Sequence, residues 1–188
     1  MAHDSIDQLV RQDESQTLER KRSLALQREG FESLCGMVNA EPAYGAVLFG
    51  VAPDGQIVGV EPGDLDKSQR SLSQTIGSKF DPPLQFVTEV GEIQGKRFVV
   101  VAARRSRDVP YHEFDGRAFL REGTVTRQMT FAEKLSLQRS RNRDLHPGPW
   151  RCDRCGSWVG TLVSVEVTDQ GMRKTYGCQC GGEFWPAA

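Results

Sequence analysis

Long apolar runs are missing from this 188-residue chain. No stretch approaches the roughly 18 residues that a membrane-spanning helix needs, which excludes that class. The opening residues, MAHDSIDQLVRQDES, are polar and acidic and lack the apolar centre of a secretory signal. A cytoplasmic protein with no membrane partner is expected. Histidine is scarce, with 3 in the chain, and His112 and His146 have no partner at metal or triad spacing. No G-x-x-x-x-G-K-[ST] loop occurs, so phosphate-loop ATPase chemistry has no basis. Internal repeats and low-complexity tracts are also absent. The 38% apolar and 26% charged content is that of a soluble globular chain.

A large net charge is lacking too, but the value of −1 hides a division. Residues 1–95 carry 8 Lys/Arg against 15 Asp/Glu, and residues 96–151 carry 13 against 6. The halves either neutralise one another across a fold or present a basic face to phosphates beside an acidic one. Arg104, Arg105 and Arg107 form one basic run, and Arg139, Arg141 and Arg143 another. Each is a candidate lining for a phosphate-binding groove, or else a solvated face.

Periodicity organises the first 145 residues. Ala46–Val51 is apolar on both faces, a buried strand. Pro53-Asp54-Gly55 then turns the chain toward a second strand over Ile57–Val60. Ser5-Ile6-Asp7-Gln8 has capping-box spacing ahead of a short helix. Thr17–Leu24 alternates as an edge strand with Glu19 and Lys21 on one face. Phe31, Leu34, Cys35 and Val38 make a core-facing helical stripe over Arg28–Ala40, which marks Cys35 as a buried, inert thiol. A helix over 64–80, strands over Leu84–Val90 and Arg97–Ala103, and a hairpin about Asp115-Gly116 follow. Thr130-Phe131-Ala132-Glu133 caps a last helix running to about Arg143. This order predicts an α+β domain with a mixed sheet over residues 1–145. Residues 146–150, with His146-Pro147-Gly148-Pro149, read as a rigid linker.

Residues 151–188 hold four of the 5 cysteines as C-x2-C-x22-C-x-C. Cys152, Cys155, Cys178 and Cys180 are the four soft ligands of a tetrahedral structural Zn2+, with a hairpin about Asp169-Gln170-Gly171 between the pairs. A zinc ribbon is expected, because so short a segment needs a staple to fold. Two disulfides are the alternative, disfavoured in a reducing compartment. Trp158, Phe184 and Trp185 suit either the ribbon's core or base stacking.

Several segments carry a family likeness in the right order. They are Glu14-Ser15, Leu18-Glu19-Arg20-Lys21, Val38-Asn39-Ala40, Leu48-Phe49-Gly50-Val51, Asp54 to Val60, Val109-Pro110-Tyr111 and Phe119 to Thr124. Over roughly residues 10–138 the chain resembles the Schlafen-type AlbA-like domain. Schlafen nuclease cores cleave tRNA and other structured RNA with two Glu and one Asp around a divalent metal. The resemblance places the two Glu at Glu14 and Glu19 and a basic partner at Lys21. It puts the Asp directly after Gly50-Val51, where this chain has Ala52, so Asp54 is the nearby substitute. Such carboxylates would hold Mg2+ or Mn2+ to activate water. Arg121 lies in Arg-Glu-Gly-Thr, resembling the family's Arg-x-Gly-Ser/Thr at a strand end beside the site. Family members often carry Gly-Gly where this chain has Tyr44-Gly45.

Three functions follow. One is a nucleic-acid-binding protein that takes RNA in preference to DNA, with Arg104, Arg105, Arg107, Arg121, Arg139 and Arg141 as phosphate contacts. A second is a metal-dependent endoribonuclease using Glu14, Glu19, Lys21 and Asp54. The third is a protein-interaction adaptor. Because vertebrate Schlafen cores pair two similar lobes around RNA, the resemblance also implies a twofold homodimer for a one-lobed chain.

Overall fold

The strand Tyr44–Phe49 (β2) lies inside a four-stranded sheet with both faces covered, in a computed structural model. Residues 3–61, 65–106, 109–145, 161–168, 171–177, 180 and 183–184 are described. Two units divide the chain, Met1–Asn142 and Arg143–Ala188. In the first, β2 pairs in parallel with Leu18–Lys21 (β1) and antiparallel with Lys96–Arg104 (β5). Gln85–Ile93 (β4) completes the order β1-β2-β5-β4, so the sheet is mixed. The unit is α+β.

Strand alternation explains the apolar run. Val47 and Phe49 join Val99 and Val101 in a core with Phe31, Leu34, Cys35 and Val38 of the helix Gln27–Asn39 (α2). Leu65, Leu72 and Ile76 of Leu65–Lys79 (α3) enter the same core. Ala46 and Leu48 face the other way with Phe98 and Val100, covered by Ile6 and Val10 of His3–Arg11 (α1). A strand with apolar layers on both sides has no polar face to spare. α2 approaches β2 closely: a Cβ added at Gly45 would collide with the Met37 side chain.

Local signals and tertiary contacts part company at three places. Ser5 lies inside α1, which begins at His3, so it is not the cap. The turn at Pro53-Asp54-Gly55 forms, with Asp54 Oδ1 accepting from the Gln56 N–H at 3.0 Å. The expected second strand does not: only one bridge forms, between Val51 and Ile57. Gly50 and Gly59 have φ of +96° and +94°, and the Gly50 carbonyl accepts from both Val58 and Gly59. That geometry bends the backbone out of a ladder.

Asp115 and Gly116 have φ of 52° and 74°, as a two-residue hairpin turn needs. The hairpin stops after the single bridge Phe114–Arg117. Glu113–Phe114 (β6) pairs instead with Phe80–Asp81 (β3), and Phe119–Glu122 (β7) with Val125–Gln128 (β8). Phe114 is drawn aside by its rings: its centroid lies 5.7 Å from that of Phe31 and 5.1 Å from that of Phe80.

The helix Phe131–Leu145 (α4), which begins in this unit, opens on the expected capping box. The Glu133 N–H donates to Thr130 Oγ1 at 3.3 Å, and Thr130 N–H donates to Glu133 Oε2 at 2.8 Å. In the second unit Thr161–Thr168 (β9) and Gly171–Gly177 (β10) form an antiparallel hairpin, joined by Glu183–Phe184 (β11). Cys152, Cys155, Cys178, His146, Trp158 and Trp185 lie outside the described residues, and Cys180 is exposed.

Candidate functional site

β1 is the sheet edge that carries the expected carboxylate chemistry. Pairing fixes Glu19 opposite Val47 and Lys21 opposite Phe49, so both side chains project to the α2 face. Glu19 is buried at 7% exposure. Its Oε1 lies 2.6 Å from Lys21 Nζ and its Oε2 2.7 Å from the Arg121 guanidinium. Both oxygens therefore face a cation.

Arg121 comes from β7, which packs against α2 at Gly36. A Cβ on Gly36 would stand 3.1 Å from the Arg121 nitrogen. The Arg121 side chain has no exposed surface. Its Nε donates to the Ser15 carbonyl at 2.8 Å, Nη2 to Leu18 at 3.2 Å, and Nη1 to Thr126 Oγ1 at 3.1 Å. Gln16 clasps the same strand end, donating to the Arg121 carbonyl at 2.6 Å and accepting from the Gly123 N–H at 2.7 Å. The expectation that Arg121 meets phosphate is corrected: a fully buried guanidinium satisfied by a carboxylate and two carbonyls cannot reach a ligand's backbone. Arg121 lies near the end of β7 and pairs with Glu19.

The other expected residues stand apart. Glu14 Oε1 accepts from the Arg20 N–H at 3.0 Å. Asp54 is exposed and holds its own turn, while Ala52 is buried at 4% exposure. The neighbouring Arg20 points to the α1 face, where its guanidinium donates to Pro53 and Val10 carbonyls, each at 2.9 Å, and to that of Gln12. Among the described residues, no group of three or more His, Cys, Asp or Glu is placed to hold a metal ion. The donor set agrees. A divalent cation at Glu19 would have to displace Lys21 or Arg121, and the place of the third carboxylate is a methyl group. Glu14, Glu19 and Asp54, as arranged, do not fit Mg2+ or Mn2+.

Among the candidate phosphate contacts, Arg104 is exposed at the end of β5, opposite Tyr44 on one side and Gln85 on the other. Arg105 is largely withdrawn. It donates to the Val38 carbonyl at 3.3 Å and pairs with Glu41 at 3.5 Å. Arg139 is exposed on α4. Arg107 lies outside the described residues, as does the side chain of Arg141.

His112 and Cys35 are structural. His112 is fully buried, its N–H donates to Asn39 Oδ1 at 2.8 Å, and its Nδ1 lies 2.8 Å from the Pro82 carbonyl. Burial pushes the Cys35 thiol up to about 12, against an ordinary value of 9.0, so it stays protonated and unreactive.

One concave feature has no counterpart in the sequence reading. A cavity of about 500 Å³ opens between the Arg22–Leu24 segment, the 58–61 loop and the first turns of α3. Leu24, Val60 and Leu72 are its apolar lining, and Arg22, Lys67, Ser68 and Ser71 its polar one. Arg22 sits in Glu-Arg-Lys-Arg-Ser beside Glu19 and Lys21, with no motif of its own to mark it. Lys67 lies in the first turn of α3, the helix expected over 64–80.

The family model described as Schlafen, AlbA_2 matches residues 14–130. No curated protein matches the chain. Among solved structures, the DIP2311 protein from Corynebacterium diphtheriae is similar over 73% of this chain, with a TM-score of 0.50 and 18% identity. This chain spans 32% of that protein's length. The N-terminal domain of a RecG-related protein from Nitrosomonas europaea aligns over 69% of this chain and 93% of its own, with a TM-score of 0.45 and 23% identity. The first likeness speaks for the fold alone.

Proposed function

The chain belongs to the Schlafen AlbA_2 family, and on that premise we propose that it binds nucleic acid, RNA in preference to DNA, without cutting it. The observation that carries the second half is the clamp on Glu19. With Lys21 and Arg121 on its two oxygens and Ala52 in the third carboxylate's place, its charge is spent inside the protein. Arg104 and Arg139 are exposed and enter no ion pair among the described residues, which leaves them to phosphates.

Fluorescence polarisation tests this with one 12-nucleotide sequence as RNA and as DNA. Affinity should fall steeply between 50 and 200 mM salt, because neutralised phosphates release counterions. RNA should bind the tighter of the two. Undetectable binding of either at low salt would remove the proposal.

The endoribonuclease remains the second reading, favoured by Glu14 and Glu19 at the family's spacing on either side of the β1 entry. Incubation with bulk tRNA and Mn2+ or Mg2+ separates the two. We expect intact tRNA. Cleavage that disappears in Glu14→Ala/Glu19→Ala would replace the binding reading with the enzyme.

Two further parts belong to the proposal. Cys152, Cys155, Cys178 and Cys180 hold a structural Zn2+, supported by their spacing and by the β9–β10 hairpin that joins the two pairs. The chain also forms a homodimer, supported by the family's paired lobes and by β4, an edge strand with Val87 and Val90 exposed.

A further inference from the structure

The cavity beside α3 combines three properties. It is large enough for a nucleotide-sized group, since ligand pockets run to about 300–1,000 Å³ and this one measures about 500 Å³. It holds cations without partners: neither Arg22 nor Lys67 enters an ion pair or hydrogen bond among the described residues. Several other cations of the domain pair with its own carboxylates, as Arg97 does with Glu92, Arg105 with Glu41, Arg121 with Glu19 and Lys134 with Glu113. The Ser68 and Ser71 hydroxyls likewise make no hydrogen bond within the described residues and can donate to an anion.

The apolar lining is the third property. Leu24 and Val60, both half-buried, offer hydrocarbon next to the cationic rim above the buried Leu72, with Val58 exposed at 44%. A bare anion site needs no such surface, whereas a base ring does. Glu61 also lines the cavity. A carboxylate would oppose a naked phosphate, but it accepts hydrogen bonds from ribose hydroxyls or a base amino group.

We propose that this cavity binds a nucleoside monophosphate unit, with its phosphate against Arg22, Lys67 and the two serines and its base on the apolar wall. The inference rests on the RNA-binding reading for the source of that unit, a nucleotide of an RNA strand. A free mononucleotide carries the same chemistry.

NMR titration of the full chain with AMP, adenosine and a 12-nucleotide RNA tests the site. AMP should shift the Gly59, Ser68 and Ser71 amides saturably. Adenosine, lacking the phosphate, should bind at least about tenfold more weakly. Arg22→Gln/Lys67→Gln should weaken AMP binding at least about tenfold and lower the salt slope for RNA by about 1, for the one phosphate that the two cations share. Both side chains are exposed, so the variant's melting temperature should match the wild type, and Arg117→Gln, also exposed and outside the cavity, should leave AMP binding unchanged. The RNA should shift the same three amides. If AMP moves none of them, or the double variant binds AMP like the wild type, the site is refuted. RNA binding that bypasses these amides refutes the site and keeps the RNA reading. AMP binding without RNA binding keeps the site and removes the RNA reading.

Discussion

Glu19 shows how a residue's type and its setting can point to different work. A carboxylate in an edge strand, two residues from a lysine, suggests a metal ligand. The setting is a buried ion triad in which Lys21 and Arg121 neutralise it. Taking away one member of a buried pair leaves charge without compensation and costs about 3–5 kcal/mol. Arg121→Ala should therefore lose about 3 kcal/mol in urea unfolding, the lower end, because Lys21 remains on Glu19. A loss below about 0.5 kcal/mol would mean the triad does not hold β7 against β1, since surface pairs are worth about that much. Arg121 was legible in the sequence as a site neighbour but not as a buried one. Its partners Ser15, Leu18 and Glu19 come from the far end of the chain. Cys35 was legible because its helical stripe is local.

At the scale of elements, two signals contained within a few residues survive, although the Ser5–Gln8 box does not cap its helix, and strand partners are set by distant packing. The Thr130–Glu133 box is local, and it forms. The Asp115-Gly116 turn is local and forms too, but the flanking strands leave for β3 and β8 because aromatic packing outweighs one more hairpin bridge. The cap carries a pH signature. Hydrogen bonds from Arg127, then from Thr130, hold the Glu133 carboxyl at about 2, below its ordinary 4.5. A carboxylate held low in the folded state stabilises fully above the unfolded value and loses that contribution as pH falls from about 4.5 toward 2. Glu133→Gln should therefore melt below the wild type at pH 6, with the gap closing as pH drops through this window. High salt should also narrow the gap, because the pair is only half-buried and open to screening. A gap unchanged from pH 6 to 2.5 would place the effect elsewhere than in the carboxylate.

Across the whole molecule, the opposed charge of the two sequence halves turns out to be partly internal. Glu19 meets Arg121, Glu41 meets Arg105, and Asp115 faces both Arg28 and Lys79, so cations and anions cross between residues 1–95 and 96–151. What remains for a partner is a scatter of unpaired cations and the cavity, which charge counting could not locate. The second unit rests on different physics. A segment of this size buries too little apolar surface to fold readily by itself, and the zinc site proposed above would supply its hairpin with a cross-link. On that proposal, thiolate binding of zinc and folding are one event. The 3 tryptophans of the chain, Trp150, Trp158 and Trp185, all follow residue 145, so their fluorescence reports on this segment alone. Purified protein should carry about one zinc per chain. A strong chelator should red-shift the tryptophan emission and leave the far-UV helical signal of α2 and α3 unchanged, and Cys152→Ser/Cys178→Ser should reproduce the shift without chelator. Less than about half a zinc per chain, with Cys152 and Cys178 in disulfides, would mean that oxidation rather than metal closes the two pairs.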